Sequence, residues 1–219
     1  MSRHTEDEIR RLASRLEAQS ARVLRQVEAA TRALTEQVDI AQVDLLEEEI
    51  DHEEVLLEED CLRIMALHHP VGGDLRFLAT LLRANGDLER AADHAYNVFA
   101  LVSGSSGTVP DAVSLLSRRS ALLIGQAVRA LLERDPHQAA GVLESNAQLH
   151  SLAEAAFRQS RTLASSFDPP SLDRAFLMVR LAMDFRRIGE LACNLAEDAL
   201  YLERGDIVRH GGVTGASGG

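Results

Sequence analysis

Apolar residues recur every three to four positions along nearly the whole chain, the spacing that gathers them on one face of an α-helix. Ile9, Leu12, Leu16, Val23, Val27 and Ala30 mark the first helix. It is expected to open at Thr5, where Thr5-Glu6-Asp7-Glu8 has capping-box spacing, and to run to about Thr35. A second helix begins near Asp39, carries Val43, Leu46, Ile50, Leu57 and Ile64 inward, and must stop before Pro70. A third follows Val71-Gly72-Gly73-Asp74 and reaches about Val102. The segment from Ser103 to Pro110, rich in Ser and Gly, is a linker. The pattern then restarts. Helices are predicted from Asp111 to Glu133, from Pro136 (with Asp135 as cap) to about Ser165, and from Ser171 to Glu203. Residues 206–219, dominated by Gly, have nothing to bury and are expected to be disordered.

An acidic phrase occurs twice. Asp87, Arg90, Ala95 and Asn97 recur as Asp184, Arg187, Ala192 and Asn194, at a constant offset of 97. Such self-similarity indicates two related helical units in tandem. The expected fold is all-α: a three-helix bundle over residues 1–103 and a second over 110–205. Helices of some thirty residues are about 45 Å long, so both bundles are elongated.

Composition narrows the function. The net charge is −11, from 34 acids against 23 bases, which disfavours a polyanion such as nucleic acid as partner. Multivalent cations or a basic protein surface suit it better. No apolar run is long enough to span a bilayer, and the first residues lack the hydrophobic stretch of a secretion signal. The expectation is a cytoplasmic protein in which Cys61 and Cys193 are small buried hydrophobes.

The candidate chemistry is carboxylate. Glu47 and Asp51 on the second helix, and Glu89 and Asp93 on the third, are each spaced i,i+4, so each pair stacks on one helix face. Antiparallel neighbours carrying such pairs could converge four carboxylates, a donor set for hard or borderline cations. Asn97, one turn further, could add a hydrogen bond or a carbonyl oxygen. The run from Glu47 to Glu54 also reads as a solvated acidic face. In the second unit Glu89 and Asp93 correspond to Arg186 and Glu190, and Glu47 and Asp51, with a small shift in the offset, to Asn146 and His150. Arg186 brings a fixed positive charge that would repel or replace a cation, so no cluster is expected there. A single Glu49-x-x-His52 element falls short of the two that a di-iron oxidase needs. His68-His69 stands at a helix end before Pro70, where capping is the simpler role. Nothing in the sequence points to catalysis.

Several phrases resemble the PhoU family, regulators of phosphate uptake. Leu67-His68-His69-Pro70-Val71-Gly72-Gly73-Asp74-Leu75-Arg76 is similar to its interhelical connection, and Asp87-Leu88-Glu89-Arg90-Ala91-Ala92-Asp93-His94-Ala95 to its signature. Arg187-Ile188-Gly189, Asn194 through Asp198 and the stretch from Tyr201 to His210 resemble the second repeat and the C-terminus. The resemblance implies two three-helix bundles and a cytoplasmic, dimeric adaptor rather than an enzyme. It implies a negative regulator that couples a phosphate ABC transporter, through its ATPase, to a sensor histidine kinase, meeting the membrane only through those partners. It also implies a metal site (Fe, Zn, Mn or Mg) on Glu47, Asp51, Glu89 and Asp93 in the first repeat, the second departing at Arg186, Asn146 and His150. The alternatives are a metal-binding helical bundle and an accessory to a secondary phosphate carrier.

Overall fold

The computed structural model describes residues 3–103, 109–204, 208–209 and 212–213. The first bundle comprises α1 (Arg3–Ala33), α2 (Ile40–His68) and α3 (Gly73–Val102). The second comprises α4 (Asp111–Glu133), α5 (Pro136–Glu144), α6 (Asn146–Ala164) and α7 (Pro169–Arg204).

Local chemistry explains the boundaries. The Asp39 side chain accepts the Ala41 N–H at 3.1 Å and opens α2. At its far end His69 adopts a left-handed conformation (φ 45°) and donates its N–H to the Met65 carbonyl, and Pro70 follows. Gly72, at φ +60°, then turns the chain into α3 without a Cβ penalty. Asp135 accepts the N–H groups of His137 and Gln138, with Pro136 in the first turn of α5. Asp168 does the same for Ser171, so Pro169 and Pro170 lie inside the first turn of α7 rather than before it.

Three further expectations change. The helix predicted from Pro136 to Ser165 is divided at Ser145, whose hydroxyl donates to the Gly141 carbonyl. A backbone-directed serine one turn after a glycine weakens the helix there. Both segments still pack on α4 and α7, so together they fill one helical position. Thr5 is not a cap: α1 begins at Arg3, and Thr5 is buried within it. In the tail expected to be disordered, β1 (Val208–Arg209) and β2 (Gly212–Val213) pair antiparallel, with Val208 opposite Val213. The rest of 206–219, and residues 104–108 of the linker, lie outside the described residues.

One continuous core runs through both bundles, from Leu12 and Val23 through Leu88 and Val98 to Ile124, Phe185 and Leu195. Along the seam α3 and α7 run antiparallel. The Arg83 guanidinium donates to Asp198 at 2.8 Å, and His94 Nδ1 lies 2.9 Å from Asp184 Oδ1. A fully buried Leu or Phe stabilises by about 1.5–3 kcal/mol, and several line the seam, whereas the gain from a part-buried ion pair is offset by the cost of desolvating its charges. Apolar burial therefore holds the repeats together, and the polar pairs fix their register. Among the described residues, no helix is long and apolar enough to cross a membrane.

Candidate functional site

The register of α2 against α3 is set at two points. The Tyr96 hydroxyl donates to Asp44 at 2.9 Å, and the Asn85 amide donates to the Glu54 carbonyl at 2.9 Å. Between them the acids of both helices meet. Glu47, Asp51 and Asp93 each present a carboxylate oxygen, all within 4.8 Å of one another. Glu89 stands outside this group, one turn back along α3. Asn97 is exposed, while its counterpart Asn194 hydrogen-bonds Asp87 across the seam.

The third wall comes from α1. Gln26 is fully buried, and its amide nitrogen donates to Glu47 and lies 3.4 Å from the Ala92 carbonyl. Its Oε1 has no hydrogen-bond partner among the described residues. The sequence reading missed this residue, although a signal existed. Gln26 interrupts the apolar stripe beside Val27, and Gln19 stands seven residues earlier on the same face. Gln19 is also fully buried, and it donates to the Ile50 carbonyl at 2.7 Å.

Like charges brought together raise the affinity for protons. The Glu47 carboxyl is pushed up to about 7, by burial first and then by Asp51 and Asp93, against the opposing pull of the Gln26 hydrogen bond. Glu89 is also pushed up to about 7, by burial and then by Asp93, Glu54 and Asp51. Asp51 is raised for the same two reasons, burial and the charge of Asp93. A cation would remove the repulsion that a proton now relieves. The donors are carboxylate oxygens only, which fits Mg²⁺, Mn²⁺ or Fe better than Zn²⁺, a metal of nitrogen and sulfur sites.

The second bundle arranges its counterpart differently. Arg186 donates to Glu190 at 2.7 Å and Arg187 to the other carboxylate oxygen at 3.1 Å. Burial raises the Glu190 carboxyl, but the two guanidinium groups outweigh it and hold it below its ordinary value. Asn146 opens α6 with a buried Oδ1 that has no partner among the described residues, and His150 is exposed. Away from both sites, His68 Nε2 lies 2.9 Å from Glu8, and the free Cys61 and Cys193 are buried.

A family model described as the PhoU domain matches the chain twice, over residues 16–102 and 113–199. The chain belongs to the PhoU family. Its two matches start at 16 and 113, the same offset of 97 at which Asp87 recurs as Asp184. The phosphate-specific transport system accessory protein PhoU homolog of Deinococcus radiodurans is 31% identical over 180 residues, covering 79% of this chain and 83% of that protein. The Pseudomonas aeruginosa homolog of the same description is 28% identical, covering 94% of this chain and 88% of that protein. The crystal structure of PhoU from Pseudomonas aeruginosa superposes with a TM-score of 0.83 at 26% identity, over 91% of this chain and 99% of that one. The phosphate transport system regulatory protein PhoU from Streptococcus pneumoniae, at 20% identity and a TM-score of 0.78, shares the fold over 94% of this chain and 99% of that one. Within this PhoU-family chain the carboxylate group falls in the first matched domain and the Arg186–Glu190 pair in the second.

Proposed function

We propose that this protein is a cytoplasmic negative regulator of phosphate uptake, a homodimeric adaptor that couples a phosphate ABC transporter, through its ATPase, to a sensor histidine kinase. One observation carries the reading. Two PhoU domains fill most of the chain, and full-length relatives bear the description of phosphate-specific transport system accessory proteins. An adaptor of this class transmits a signal by binding one state of its partners better than another.

The carboxylate group of the first repeat enters the proposal as a divalent or multinuclear cation site. Glu47, Asp51 and Asp93 would hold the ion, and Glu89 would lend charge from the adjacent turn. Gln26 orients Glu47 from the buried side. Glu47 and Glu89 must be deprotonated first, so uptake would release protons and strengthen above about pH 7.

Deleting the gene should raise phosphate-responsive expression in phosphate-replete cells, and unchanged expression would sink the regulatory reading. Recovery of the transporter ATPase and a histidine kinase with a tagged bait from the same cells would supply the coupling. Recovery of a secondary phosphate carrier in their place would redirect it to that carrier. The acid group favours a second reading, a metal-handling bundle outside signalling. It would be preferred if deletion altered cellular metal content and left phosphate-responsive expression unchanged.

A further inference from the structure

The helix α2 carries apolar residues on its outer side as well as its inner one. Its inner stripe, Val43, Ile50, Leu57, Cys61 and Ile64, is buried against α1 and α3. A second stripe faces solvent. Positions 41, 45, 48, 52, 55, 59, 62 and 66 are all exposed, and they alternate by four and three. That is the heptad spacing by which one helix reads another. The large apolar members are Leu45, Val55 and Leu62, exposed by 62%, 51% and 50%. Small Ala41 and Ala66 end the stripe, and no Gly or Pro interrupts the helix. The helix holding the equivalent place in the second repeat lacks this feature. Exposed positions on α6 are polar or small: Ser151, Glu154, Arg158 and Arg161 among them.

The charges around the stripe specify what could cover it. Asp44, Glu48, Glu49, Glu58 and Glu59 border or interrupt the apolar positions. Glu48, Glu58 and Glu59 have no hydrogen-bond or ion-pair partner among the described residues. Arg63, the base beside the stripe, is already paired with Glu8 and Asp60, so a second copy of α2 would set mainly acids against acids, and an anionic lipid surface or nucleic acid meets the same repulsion. A helix with apolar heptad positions and basic flanks meets none of it.

We propose that the outer face of α2 docks an amphipathic helix of a partner protein, with Leu45, Val55 and Leu62 as apolar anchors and the bordering acids pairing with Lys or Arg on that helix. Docking of this kind lays the apolar face of one helix along the other and reads it at three-and-four spacing. Acid–base complementarity speeds association and makes it sensitive to salt. The inference does not rest on a phosphate-signalling role.

The test places a photo-crosslinking amino acid at Val55 or Leu62 of the full chain in cells, with Glu154 on α6 as control, and sequences the crosslinked peptide. The proposal expects a protein segment with apolar heptad positions flanked by Lys or Arg, absent from the control. No crosslink above control, a crosslink to another copy of this chain, to lipid or to nucleic acid, or a segment without basic flanks would each overturn it. The captured segment is then synthesised and titrated onto the full chain. Val55→Ser with Leu62→Ser should weaken binding at least ~10-fold, the loss expected of truncated interface anchors. Both positions are solvent-facing, so the melting temperature serves as the folding control. Unweakened binding to the folded variant would overturn the proposal.

Discussion

The two repeats place different charges on one scaffold. In the first, α2 and α3 bring Glu47, Asp51 and Asp93 together, with Glu89 nearby, and no base among them. In the second, Arg186 and Arg187 clamp Glu190 between them. One half leaves its crowded carboxyls to be relieved by protons, and the other pairs Glu190 with guanidinium groups of its own chain. At the repeat offset Glu89 gives way to Arg186, which joins Arg187 in holding Glu190 below its ordinary value, whereas Glu89 is itself pushed up by burial and the surrounding acids. The lesson is that a duplicated fold need not duplicate its site.

The largest test of this contrast is cation binding. At a hundredfold excess over Kd a ligand stabilises by about 2.7 kcal/mol, which for a chain of this size is a rise of about 5–10 °C in Tm. Mn²⁺ or Fe²⁺ should produce it in the wild type and not in Asp93→Asn with Glu47→Gln. An equal rise in both, followed by scanning fluorimetry, would erase the contrast. The next is steric. Gly189 occupies the repeat position of Ala92, and a Cβ there would lie 2.5 Å from the side chain of Leu149, which is fully buried. Gly189→Ala should cost about 1–3 kcal/mol by overpacking, read as a lower denaturation midpoint. An unchanged midpoint would show that α6 yields freely.

The third concerns pH. Native Glu47 and Glu89 keep protons up to about 7 that the unfolded chain releases near its ordinary 4.5. Their contribution is therefore complete below about pH 4.5 and is lost as pH rises through 7. Allowing for solvent screening of half-exposed groups, metal-free protein should lose about 1–2 kcal/mol between pH 5 and 8. Glu47→Gln with Glu89→Gln should flatten that slope, and a slope unchanged in the variant would assign it elsewhere. Glu190 works in the opposite sense, its depressed carboxyl contributing stability that is lost only in acid. The smallest effect is Arg186→Gln, about 0.3–0.5 kcal/mol for an i,i+4 pair. The Glu190 titration, followed by NMR, should then move up towards its ordinary value. If it stays put, Arg187 alone sets it.

Much of the fold is legible because three-and-four spacing survives without alignment. The expected bounds Asp111 and Glu133 are those of α4. The division at Ser145 is less legible, because Gly141 and Ser145 are each tolerable in a helix and only their combination with packing on α7 breaks it. At the site, i,i+4 spacing correctly implies two acidic faces, but not how far one helix slides along the other. The Tyr96–Asp44 and Asn85–Glu54 contacts fix that slide, leaving Asp93 opposite Glu47 and Asp51 and Glu89 beside Glu54. These are contacts between residues far apart in sequence, and no local pattern encodes them. Gln26 was readable in principle, since a polar residue inside an apolar stripe must find a buried partner.

The unbroken core from Leu12 to Leu195 has a consequence for how the chain opens. Because buried side chains of both repeats belong to one core, neither repeat can open fully without exposing apolar surface of the other. Destabilisation of one repeat, as by Gly189→Ala in the second, should therefore also lower hydrogen-exchange protection in the other.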